Sequence, residues 1–155
     1  MRFPLIAFVL AVSACAPKPP PDAVTHGALI ISGAWAPASP NGAQTAAGYL
    51  KIENKGDRDE HLMGAASPRA ASVELHTTTM SAGMMGMAKA DVLGVPAHGV
   101  LEFKPGGDHL MFFNPAPPFK EGDKVPVTLQ FKDAGPVGIS LSVRAPGKDD
   151  MAGMQ

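Results

Sequence analysis

Only one cysteine occurs in the 155 residues, at position 15. A lone thiol excludes an internal disulfide framework and any metal site built on paired cysteines. Charge is also scarce. Lys and Arg number 13 against 14 Asp and Glu, charged residues make up 17 %, and the formal net charge is -1. Such a chain has no basic stripe for nucleic acid and no electrostatic patch for an anionic membrane surface. The apolar run at residues 3–12 is too short to span a bilayer, which takes about 20 residues. What is abundant points the other way: 17 Gly and 16 Pro favour short strands and many turns over long helices. The length fits a single domain with a proper core. Nine methionines and five histidines are the features that ask for a chemical reason.

The position of the cysteine carries information. Met1-Arg2 is a short basic start, the apolar run follows, and Val12-Ser13-Ala14-Cys15 closes it with small residues leading into the thiol. This resembles a bacterial lipobox, in which the cysteine becomes the lipidated first residue of the mature protein. Residues 1–14 then read as a lipoprotein signal peptide. Residues 15–27 read as the lipidated Cys15 plus a proline-rich tether (APKPPPD over 16–22), extended by its composition. An ordinary cleavable signal peptide would instead leave the protein soluble in the periplasm, but the cysteine falls where the apolar run stops. Lipidation of Cys15 removes the only thiol from the chemistry of the mature chain.

Residues 28–146 read as one domain and 147–155 as a flexible tail. Apolar runs of strand length at 28–35, 47–53, 61–66, 72–78, 100–104, 109–113, 125–131 and 138–144 are separated by Gly, Pro, Asn and Asp clusters. Without a helical period, that spacing predicts an all-β sandwich. Two strands alternate cleanly. Val127, Leu129 and Phe131 oppose Thr128 and Gln130, and Ile139, Leu141 and Val143 oppose Ser140, Ser142 and Arg144, as expected of one buried face each.

The same parity argument isolates a donor set. With Leu110 and Phe112 turned to the core, His109 and Met111 share the other face, about 6.8 Å apart along the strand. With Val73 and Leu75 turned in, His76 turns out. Between these strands lies Met80-Ser-Ala-Gly-Met84-Met85-Gly-Met87, four thioethers in a glycine-flanked stretch, and spacing does not choose among them. Thioethers are soft and uncharged and suit Cu(I), while imidazole suits copper and zinc alike. A neutral His₂Met₂ set is poor for zinc and wrong for calcium or magnesium. Methionine is also the soft donor that survives in an oxidising compartment. Taken singly, each of these residues is more often structural, since methionines commonly fill cores.

The pattern His76-x₁₀-Met87-x₂₁-His109-x-Met111 resembles the motif of the periplasmic copper chaperones called PCu(A)C. Its surroundings are similar too: Trp35, AAGYLKIENKGD (46–57), SVELHTTTM (72–80), KPGGDHLM (104–111) and KEGDKVPVTLQF (120–131). The resemblance covers roughly residues 30–145. It implies a cupredoxin-like Greek-key β-sandwich and a Cu(I) site of His76, Met87, His109 and Met111. It further implies delivery of copper for assembly of the Cu(A) centre of cytochrome c oxidase, with subunit II or another copper chaperone as acceptor. Phe112-Phe113-Asn114-Pro115 departs from the more aliphatic stretch of relatives, and only Met151 and Met154 stand where some relatives carry a His/Met-rich tail.

Met80, Met84 and Met85 are expected to be auxiliary to the copper at most. His26 is expected to face solvent, His61 and His98 to lie near turns without a partner, and Met63 to sit in the core. Competing readings are a copper-sequestering or resistance protein and a surface lipoprotein that binds a protein partner and no metal. A blue-copper electron carrier would need a cysteine thiolate. A zinc hydrolase would need a third histidine or a carboxylate ligand with a general base; Glu74 is the nearest acid, and a solvated strand face accounts for it. The expectation is therefore a non-enzyme. Because imidazole must be neutral to bind, copper affinity should weaken as the pH falls below about 6.5.

Overall fold

The computed structural model describes residues 22–81, 83–145 and 147. The signal peptide, Cys15, most of the tether and the tail beyond Gly147 lie outside the described residues, as do Met151 and Met154. Among the described residues there are eleven strands and no helix: β1 (Val24–His26), β2 (Leu29–Pro37), β3 (Thr45–Asn54), β4 (Glu60–Ala66), β5 (Ser72–Ser81), β6 (Met84–Ala90), β7 (Leu93–Val95), β8 (Val100–Phe103), β9 (His109–Phe113), β10 (Lys124–Phe131) and β11 (Pro136–Arg144).

All belong to one sheet, ordered β1-β2-β11-β10-β4-β5-β9-β3-β8, and an additional β2–β3 pairing closes it on itself. The closed ring therefore runs β2-β11-β10-β4-β5-β9-β3. Every pairing in it is antiparallel except β11 with β2. Strand β2 can serve three neighbours because its register shifts between Ser32 and Trp35. The residue at that break, Gly33, has φ +59°, a conformation that costs glycine little and other residues more. Before the break the strand meets β1 on one side, and after it β11.

Closure turns one side of every ring strand inward. Leu62, Leu110, Phe112, Phe119, Leu129 and Leu141 are completely buried, which sequesters enough apolar surface to hold the ring. The alternation expected in β10 and β11 is present, with Val127, Leu129, Phe131, Ile139, Leu141 and Val143 all buried.

Three strands have no counterpart in the sequence reading. Strand β1 lies at the end of the stretch read as tether. Strand β7 is a three-residue pairing onto β4. Strand β6 turns the methionine-rich stretch into the second arm of a hairpin with β5. Met63, expected in the core, is 48 % exposed. Leu62 pairs with Phe131 and Gly64 with Gln130, so a bulge leaves Met63 without a cross-strand partner, on the opposite side of the strand from the buried Leu62.

Candidate metal centre

Strand β5 runs between β6 and β9, and the register across the three strands decides which outward side chains become neighbours. His76 stands directly opposite His109, and Glu74 opposite Met111. On the other flank His76 stands opposite Lys89, and Thr78 opposite Met87. Paired residues of an antiparallel ladder share a face. Glu74, His76, Thr78, Met87, Lys89, His109 and Met111 therefore all occupy the side of the sheet away from Leu75, Leu110 and Phe112. The ring centroids of His76 and His109 are 5.7 Å apart.

The four residues of the motif are not equally gathered. His76, His109 and Met111 form a compact group across one strand pair. Met87 is diagonal to His76 on the far flank, with β5 lying between it and His109, so about 10 Å separate Met87 and His109 in the direction of the ladder bonds. Burial follows the same gradient. His109 is 6 % exposed and Met87 is 58 % exposed, with Met111 between them. The face is thus more sunken at His109 than at Met87. The loop before β9 folds back on itself through Lys104 N–H to the Asp108 carbonyl (2.8 Å) and Gly107 N–H to the Lys104 carbonyl (3.0 Å).

Hydrogen bonds fix both rings. His109 Nδ1 lies 3.0 Å from the Gly107 carbonyl oxygen. His76 Nε2 lies 3.1 Å from Glu74 Oε2, and the other Glu74 oxygen accepts from Lys89 Nζ at 3.1 Å. The bonds from His76 first, and from Lys89 second, hold the Glu74 carboxyl below the usual carboxylate range. His76 Nδ1 is buried and has no hydrogen-bond partner. Phe113, part of the stretch that departs from relatives, stands 6.1 Å from the His76 ring.

Sequence reasoning named Glu74 as the nearest acid without pairing it to His76, and it overlooked Lys89 as a member of this face. The parity that turned His76 outward places Glu74 outward too, but Lys89 could be found only through the β5–β6 register. Of the auxiliary methionines, Met84 and Met85 are exposed on β6, at 73 % and 60 %, and Met85 pairs with Met80 in the ladder. By parity Met85 is on the face of Met87 and Met84 on the reverse. The remaining histidines lie elsewhere. His26 Nε2 is 3.2 Å from the Ala134 carbonyl, and His98, expected to lack a partner, sits 2.8 Å from Asp57. Nδ1 of His61 is buried with no partner. Among the described residues no three His, Cys, Asp or Glu side chains are grouped to hold a metal; the donors this face adds to the two histidines are methionine sulfurs.

A closed β-sandwich presenting paired histidines beside methionines defines a small all-β domain with a soft-donor face. The chain belongs to the LpqE-like family ("Putative lipoprotein LpqE-like"), whose profile matches residues 29–143. It is 32 % identical over 143 residues to "Putative lipoprotein Lxx21020" of Leifsonia xyli subsp. xyli (strain CTCB07), spanning 89 % of this chain and 85 % of that protein. Among solved structures it is similar to the "Copper-bound PCuAC domain from PmoF2", with a TM-score of 0.69 and 27 % identity, covering 80 % of this chain and 98 % of that domain. It is also similar to CuI-DR1885 of Deinococcus radiodurans, with a TM-score of 0.61 and 35 % identity, covering 80 % and 81 %. The domain is of the PCuAC type, with the cupredoxin-like fold that the His/Met motif implied.

Proposed function

We propose that this protein is an extracytoplasmic Cu(I) carrier that takes the ion as cargo on His76, Met87, His109 and Met111 and delivers it for Cu(A) assembly. The reading is carried by one observation: His76 and His109 face each other across a strand pair, with Met111 beside them and Met87 on the same face. Two imidazoles and two thioethers form a neutral, soft set matched to a monovalent copper ion. The structural relatives support it, since one is a copper-bound PCuAC domain and another is a Cu(I) form. In this reading the chain sits in the periplasm, tethered to a membrane by lipid on Cys15, and hands copper to subunit II of cytochrome c oxidase or to another copper chaperone.

The gradient of exposure suits exchange of ligands one at a time. His76, His109 and Met111 hold the ion first. Met87, on the exposed hairpin arm, completes the set and is the first ligand an incoming partner displaces. Copper then passes between proteins without release as free ion. Anaerobic mixing of the copper-loaded protein with the apo soluble domain of oxidase subunit II, followed by separation and metal analysis, tests this. Copper should appear on the acceptor. Loaded protein that retains its copper against every such acceptor overturns the delivery role and leaves a sequestering one.

A further inference from the structure

We infer that Glu74 is the positioning residue of this centre and that the two histidines bind copper through different ring nitrogens, His76 through Nδ1 and His109 through Nε2. The inference rests on the copper reading above and assigns its donor atoms.

Proton placement on the two rings decides which nitrogens are free to bind. A carboxylate accepts hydrogen bonds and cannot donate one, so the His76 nitrogen 3.1 Å from Glu74 Oε2 is the one carrying hydrogen. A neutral imidazole with its proton on Nε2 has its lone pair on Nδ1. In the structure that Nδ1 is buried and unpartnered, so no protein donor competes for its lone pair. The same logic, with the atoms reversed, applies across the strand. The Gly107 carbonyl can only accept, so His109 Nδ1 at 3.0 Å is protonated and the lone pair lies on Nε2.

The spacing of the rings is compatible with one ion shared by both imidazoles. A ring nitrogen lies about 1.2 Å from its centroid and about 2.0 Å from a bound metal, so two imidazoles on one ion have centroids no more than about 6.4 Å apart. The observed 5.7 Å falls inside that limit. Glu74 is itself anchored. Its second oxygen is held by Lys89 Nζ at 3.1 Å, so it orients the imidazole and does not swing in as a ligand. A carboxylate behind a metal-binding histidine fixes the tautomer and strengthens the ring as a donor.

Cu(I) is diamagnetic, so long-range ¹H–¹⁵N spectra of ¹⁵N-labelled protein, recorded with and without one equivalent of Cu(I), read the tautomers and the metallated nitrogens directly. Without copper, His76 should be protonated at Nε2 and His109 at Nδ1, and on loading the large shifts should fall on His76 Nδ1 and His109 Nε2. Chelator competition supplies a second reading. Glu74→Ala should lose about 10–100-fold in Cu(I) affinity, and Glu74→Gln should recover most of it, because its amide oxygen accepts the same N–H bond. Metallation of His76 at Nε2, or a Glu74→Ala variant binding as tightly as the parent, overturns the inference and leaves the copper site standing. If neither ring responds to Cu(I), the copper reading itself fails.

Discussion

Substituting alanine for Gly48 connects packing under the sheet to the donor face above it. Gly48 pairs with Leu110, the residue between His109 and Met111. A Cβ at position 48 would lie 2.8 Å from Phe112 Cε2 and 2.9 Å from Leu141 Cδ1, closer than side-chain carbons approach in folded proteins. Both neighbours are completely buried, and the Phe112 ring is held edge-on against Phe119 at 5.3 Å. Overpacking of this kind costs about 1–3 kcal/mol, partly offset by about 0.4–1 kcal/mol from the stiffer unfolded chain. A net loss centred on about 1.3 kcal/mol follows, lowering the melting temperature by about 3–8 °C for a domain of this size. Gly138→Ala is the matched control, because a Cβ there meets nothing within 4 Å; it should be neutral or slightly stabilising. Thermal and urea unfolding of both variants give the comparison, and chelator competition should show weaker Cu(I) binding in Gly48→Ala alone. A Gly48→Ala protein as stable as Gly138→Ala would refute the close packing of Gly48 against Phe112 and Leu141 on which this prediction rests.

Other perturbations give separate readouts. Glu60 is 7 % exposed and accepts from the backbone N–H groups of His61, Asp133 and Ala134 at 2.7, 3.1 and 2.8 Å. Burial pushes its carboxyl up, but the three amides together outweigh that and hold it below the ordinary range. With the folded value depressed, the stabilisation is complete above about pH 4.3 and fades as the pH falls through the folded value. Glu60→Gln should flatten that acid limb and cost about 1–3 kcal/mol at pH 7, as urea unfolding at several pH values would show. Met87→Leu should weaken Cu(I) binding at least about tenfold, or about 1.4 kcal/mol, while Met84→Leu, on the reverse of the same strand, should leave it unchanged; chelator competition distinguishes the two. The Arg144 guanidinium lies 3.3 Å over the Trp35 ring, so Arg144→Ala should cost about 0.5–2 kcal/mol and shift the emission of the single tryptophan.

The sequence was most legible where one side of a strand is buried. The eight apolar runs correspond to β2, β3, β4, β5, β8, β9, β10 and β11, and the parity that sent Leu110 and Phe112 inward also predicted the face of His109 and Met111. It was least legible where burial imposes no pattern. Strand β6 is exposed on both faces for nearly its whole length, so nothing in its composition separates a hairpin arm from a glycine-loosened loop. For the same reason spacing left four methionines equivalent, and only the Thr78–Met87 register sets Met87 diagonal to His76. Met63 was misplaced because apolar character was read without phase; its neighbour Leu62 is the inward residue. Glu74 was visible as an outward acid, but its bond to His76 depends on a side-chain orientation that alternation does not supply.

The closure of the sheet also sets how the domain comes together in time. Strand β2 lies near the start of the described chain and β11 at its end, yet they are hydrogen-bonded neighbours. Joining them requires almost the entire intervening polypeptide to be looped into place, the kind of long-range pairing that slows folding and makes it cooperative. Until β11 arrives, β2 and β10 each present an unpaired edge, and a chain interrupted before that point would expose two templates for adhesion to other molecules. Among the described strands, the one nearest the C-terminus is therefore the one that seals the cylinder.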